Sequence, residues 1–137
     1  MSATATTATT AAPRSSAGTG HRTGRVTWAR GLLVAVAAAV AVTAVAGAFQ
    51  AAGHQLAVTD GPIPLLAFAQ MVVLFSLVGV VIARHTSRAT FFRVTAALTV
   101  LSCLPDLAFG DGVLSRVGLV LTHLVAAAIV VPRLARR

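Results

Sequence analysis

Four side chains that can carry charge lie inside the last two apolar runs of this sequence: Arg93, Asp106, Arg116 and His123. Within stretches of membrane length, such groups are costly to place and mark sites where a partner is to be sought. Arg93 lies two residues inside its apolar run, so its stem can carry the guanidinium out to the headgroups as an anchor. The other three belong to a pattern. Thr95, Thr99, Ser102 and Asp106 follow one another at spacings of four, three and four residues, which places them on one face of a helix. Arg116 and His123 are seven apart, again on one face. Side chains of these types can form an internal ion pair, hydrogen-bond between helices, or line a path for ions or protons.

With a tight reversal at Gly110–Asp111–Gly112, the two helices run antiparallel, with Asp106 level with Arg116 and Thr99 level with His123. The expectation is a polar seam of Thr95, Thr99, Ser102, Asp106, Arg116 and His123 with an Asp106–Arg116 ion pair as its clasp. Its hydroxyls would bond across the helices for about 0.6 kcal/mol each. A metal or proton relay at His123 needs a second ionisable group at equal depth, and none is expected there. A neutral imidazole bonded to Thr99 or Thr43 is the expected state. His21 and His85 fall toward one side and His54 toward the other, so a bis-histidine haem has no support. Cys103 is the single cysteine, which excludes an internal disulfide, a CxxC pair and a cysteine-built zinc site. No cofactor and no metal are expected.

The elements that must hold this seam are apolar throughout. Of 137 residues 57% are hydrophobic and 10% charged, against about 45–50% and about 25% in soluble domains. A chain this short cannot bury so much apolar surface in a core of its own, so the excess faces lipid. Four runs, Gly31–Phe49, Ile63–Ala83, Phe91–Phe109 and Val113–Val131, contain 19, 21, 19 and 19 residues. At about 1.5 Å per residue each crosses a hydrocarbon core of about 30 Å. The fold class is an all-α membrane protein, four transmembrane helices in an up-down-up-down antiparallel bundle joined by short links. Residues 1–25, rich in Ala, Thr, Ser and Gly, form an expected disordered tail, and 26–137 the transmembrane domain. Small-residue stripes at Ala37, Ala41, Ala44 and Ala48, and at Ala69, Ser76, Gly79 and Ala83, are expected helix contacts. Pro105 is expected to kink the third helix beside Asp106.

Charge sets the orientation. Arg14, Arg22, Arg25, Arg30, Arg84, Arg88, Arg93, Arg133, Arg136 and Arg137 fall on one side and Arg116 on the other. The positive-inside rule puts both termini in the cytoplasm, with anionic lipid at the cytoplasmic arginines. Ala44–Val45–Ala46 before Gly47 looks like a signal-peptidase site. The apolar stretch exceeds the usual length of about 7–15 residues, so the first helix is expected to be retained. The net charge of +8 flanks apolar spans, so nucleic acid is not an expected partner; a second copy or another membrane protein is.

The segment Leu121–Thr122–His123–Leu124–Val125 after the reversal, and the ending Val131–Pro132–Arg133–Leu134, resemble an uncharacterised family of small actinobacterial four-helix membrane proteins. The resemblance runs from Arg30 to Arg137 and includes the acidic residue late in the third helix. It implies a membrane protein of unknown function and assigns no catalytic residue. Small multidrug transporters resemble it in length and helix number but carry their coupling carboxylate in the first helix, which has no acid here. No phosphate loop, nucleophile set or paired intramembrane carboxylates are present. The expectation is a non-enzymatic accessory or structural membrane subunit. Its alternative is a small transporter or channel subunit with a polar path between the third and fourth helices.

Overall fold

The computed structural model describes residues 26–59 and 61–136. The expected tail over 1–25 lies outside the described residues, as do Asp60 and Arg137. Four helices follow in order: α1 Trp28–Ala51, α2 Leu65–His85, α3 Arg88–Phe109 and α4 Gly112–Ala135. All four are long and apolar enough to cross a membrane. At the basic end α1, α3 and α4 run beyond their apolar stretches, through Arg30, Arg88 and Arg133, since arginine is a good helix former. Hydroxyls cap two starts there: Thr27 Oγ1 accepts from the Arg30 amide at 3.3 Å and Ser87 Oγ from the Thr90 amide at 3.2 Å. At the opposite end α2 starts at Leu65, behind Pro64, because Ile63 is drawn into the connector, its amide donating a hydrogen bond to the Leu56 carbonyl at 2.9 Å. α3 continues as helix through Pro105.

α1 packs most extensively on α2 and then on α4, whereas α3 packs chiefly on α4. Two apolar clusters mark the ends. Val26, Val34, Val80, Ala83, Phe91, Leu134 and Ala135 gather all four helices at the basic end. Val42, Ala46, Leu56, Phe68 and Leu119 gather α1, the first connector, α2 and α4 at the other, without α3. The expected stripe on α1 is a correction: Ala37, Ala44 and Ala48 are exposed, and the packed face is Gly31, Val34, Ala35, Ala38, Ala39, Val42 and Ala46. A helix so uniformly small offers little pattern from which to read its face. Closeness is set at Gly31, where a Cβ would stand 2.5 Å from Val80 Cγ2. On α2, Ser76, Gly79 and Ala83 are buried and Ala69 is half-buried.

The links at the second end are more ordered than loops. Ala57–Val58 and Gly61–Pro62 pair as a short antiparallel hairpin, and Val58 also bridges to Gly110. The Thr59 amide donates to the Phe109 carbonyl and the Asp111 amide to the Ala57 carbonyl, both at 3.0 Å. The α3–α4 link is thus laid along the hairpin as an extended segment. Gly112 turns the chain with φ 80°, but Gly110 is extended at φ −62°, so the link is not the tight reversal expected. Glycine fits there for another reason: a Cβ would lie 2.5 Å from the Asp106 carbonyl oxygen and 2.7 Å from Arg116 Cγ.

Candidate functional site

The α3 hydroxyls of Thr95, Thr99 and Ser102 lie half-buried on the side of the helix that holds Asp106. Each finds its acceptor within its own helix: Thr95 Oγ1 donates to the Phe91 carbonyl at 2.7 Å, Thr99 to Thr95 at 2.8 Å and Ser102 to Thr99 at 2.8 Å. Thr122 of α4 donates likewise to Leu119 at 2.6 Å. Ser and Thr in a helix readily reach a carbonyl one turn back, and with that proton committed they do not donate across the interface. The expected hydroxyl bonding between helices is therefore not formed.

The polar contact that does cross is between Asp106 and His123. His123 Nδ1 stands 2.8 Å from Asp106 Oδ2 and 3.1 Å from the Leu119 carbonyl. The carboxylate side chain is 14% exposed and the imidazole 37%. Two acceptors around Nδ1 require that it carry the proton, leaving Nε2 as an acceptor in the neutral ring or a second donor in the cation. The approach to Asp106 is close but off the hydrogen-bond direction, so Oδ2 is enclosed without an aligned donor. We read the contact as an electrostatic pairing, shared with the Leu119 carbonyl, rather than a linear hydrogen bond.

Arg116 is not the partner of Asp106. Its Nε donates to the Gly110 carbonyl at 3.1 Å, and among the described residues it pairs with no carboxylate. Two physical causes displace the clasp. The extended Gly110–Asp111 link puts Arg116 level with Gly110, so α4 begins more than a turn beyond the end of α3. In addition, helical side chains lean toward their own N-terminus. In an antiparallel pair Asp106 therefore leans toward the basic end, and His123 leans to meet it. Arg116, nearer the start of α4, leans the same way as His123 and so away from Asp106. The same displacement makes Asp106 deeper than its place three residues before the end of α3 implies, since it lies beside the middle of α4.

His123 makes no bond to Thr99 or Thr43, and the Thr43 hydroxyl is enclosed without a partner. Cys103 is half-buried beside this contact. Among the described residues no three His, Cys, Asp or Glu side chains gather closely enough to hold a metal ion. Gln70 is exposed among Leu66, Val73 and Leu74 of α2 and forms no hydrogen bond with Asp106.

Two fastenings lie outside the residues that the sequence singles out as a site. Ser115, buried, accepts from the Ala57 amide at 3.4 Å and donates to the Gln55 carbonyl at 3.3 Å, pinning the head of α4 to the connector. Arg84 donates to the Val26 carbonyl at 2.6 Å and lies 5.2 Å from the Trp28 ring centre. The signal for Arg84 was available: a helix-ending arginine and a tryptophan at a helix start are both interfacial residues. For Ser115 there was none, since a single serine near a helix start is unremarkable.

The chain is a multi-pass membrane protein, with four apolar helices of spanning length. No curated protein and no solved structure matches it. Its residues 22–137 match a family of unknown function, DUF6069, and with most of its length so covered the chain belongs to that family.

Proposed function

We propose that this protein is a non-enzymatic accessory or structural subunit of a bacterial plasma membrane, with both termini in the cytoplasm. The observation that supports it best is the internal satisfaction of the α3 hydroxyls. A path for ions or solutes needs polar groups free to exchange partners with water, and these are committed to backbone carbonyls. The orientation rests on charge: Arg30, Arg84, Arg88, Arg93, Arg133 and Arg136 belong to one end of the bundle, and Arg116 to the other, among the described residues. The cytoplasmic leaflet is the anionic one, and juxtamembrane arginines are attracted to it.

A second reading, a small transporter or channel subunit, is favoured by one feature. Asp106 and His123 are two titratable groups in contact beside the middle of a span, where such groups mark ion or proton routes in other proteins. Cysteines placed at Thr99 and Ser102 separate the two. Protection from a water-soluble thiol reagent is expected; labelling at both would favour the path and set the subunit reading aside. Crosslinking in native membranes should then recover a membrane protein partner or a second copy of the chain.

A further inference from the structure

The exposed side of α4 carries an apolar groove of about 460 Å³, bounded by Leu107 of α3 and by Val117, Leu121 and Leu124 of α4. It extends along α4 from Val113 to Leu124, a rise of about 16 Å. That is half of a hydrocarbon core of about 30 Å, the depth of one leaflet. Arg116 lines the same groove near the start of α4. Its Nε is held by the Gly110 carbonyl. Among the described residues its terminal nitrogens have no hydrogen-bond partner and no carboxylate pairs with it. The arginine leans toward the helix start and, in a membrane, brings its charge to headgroup level.

A slot of one leaflet's depth, with a cation at its headgroup end that no described carboxylate pairs, has the chemistry of a lipid site. We propose that this groove binds one anionic phospholipid, its acyl chain along Val117, Leu121 and Leu124 and its phosphate on the Arg116 guanidinium. A planar guanidinium pairs well with phosphate oxygens. A zwitterionic headgroup brings its own cation beside Arg116 and loses that complementarity. The site lies at the opposite end of the bundle from Arg84, Arg88 and Arg133, so it is separate from any attraction of those arginines to a membrane surface. It does not depend on which leaflet is cytoplasmic.

The test is native mass spectrometry of the full chain, released from detergent with equal amounts of phosphatidylglycerol and phosphatidylcholine of matched chains. Preferential retention of phosphatidylglycerol is expected. Arg116→Gln should lower that retention about tenfold, the scale of one charge-assisted contact, and remove most of the preference. Val117→Trp, at an exposed position that a larger ring would fill, should lower retention of both lipids. Arg133→Gln, exposed at the other end, removes one of several arginines that attract anionic headgroups at the surface and should lower phosphatidylglycerol retention far less than Arg116→Gln does. Arg116 and Val117 are exposed, so both variants are expected to fold, and thermal unfolding in detergent checks it. Equal retention of the two lipids, an Arg116→Gln variant that binds as the parent does, a Val117→Trp variant without loss, or an equal loss in Arg133→Gln would each overturn the proposal.

Discussion

α1 and α3 are neighbours of the same helix, α4, yet they are held in opposite ways. Of the apolar stretch of α1, 33% is buried inside the protein, and of that of α3 only 6%. α1 is fixed by shape: small residues let it approach α2 until Gly31 meets Val80. This is how membrane helices associate when lipid is as apolar as their side chains. The described part of α3 buries one side chain fully, Phe91, and is otherwise tied by the Asp106–His123 contact and by the backbone of its far end on the hairpin. Close packing distributes its support over a whole face; α3 depends on a few points, each open to a single substitution.

The comparison is most exposed at Phe91. Removing its ring from the cluster of Val26, Val80 and Leu134 should cost about 3 kcal/mol, read as reversible unfolding of Phe91→Ala in detergent micelles. A loss below about 1 kcal/mol would mean that α3 is not anchored by that ring. Next is Gly31→Val, which places side-chain atoms where Val80 already stands and should cost about 2 kcal/mol. Val80→Ala should recover much of it; no recovery would deny that these two residues set the α1–α2 approach.

Smaller effects sharpen the account of α3. In a double-mutant cycle Asp106→Asn and His123→Gln should couple by about 1 kcal/mol, since contacting residues in one network are not additive. Asp106→Asn and Arg116→Gln should add within about 0.5 kcal/mol; the reverse ranking would restore Arg116 as the partner. Last, Thr99→Val should shift stability by less than about 0.5 kcal/mol, because its hydroxyl bonds only within α3 and such bonds add little to a helix. A loss well above that would show the hydroxyl serving a neighbouring helix.

The helices and their antiparallel order were legible because apolar length is a strong signal and short links leave little choice of topology. Which residues share the α3 face was legible too, since spacing fixes it. What each of those residues touches was not. Thr95, Thr99 and Ser102 choose between a neighbouring helix and their own carbonyls, and spacing is silent on that choice. Pairing Asp106 with Arg116 follows only if Gly110–Gly112 is a tight corner. The register is instead set by an extended link that pairs with Val58, about fifty residues earlier in the chain. The packed face of α1 was unreadable because nearly every face of that helix is alanine or valine.

That pairing of Val58 with Gly110 also bears on how the protein is made. Chains emerge N-terminus first, so α1, the hairpin and α2 exist before α3 and α4 do. Until then the Thr59 amide and the Ala57 carbonyl lack the partners they have in the finished protein, Phe109 and Asp111. Ser115 likewise reaches Ala57 and Gln55 only when α4 arrives. The connector of the first helical pair is thus a receptacle for the second. Like a latch, its contacts with Phe109, Asp111 and Ser115 can close only once those later segments are present.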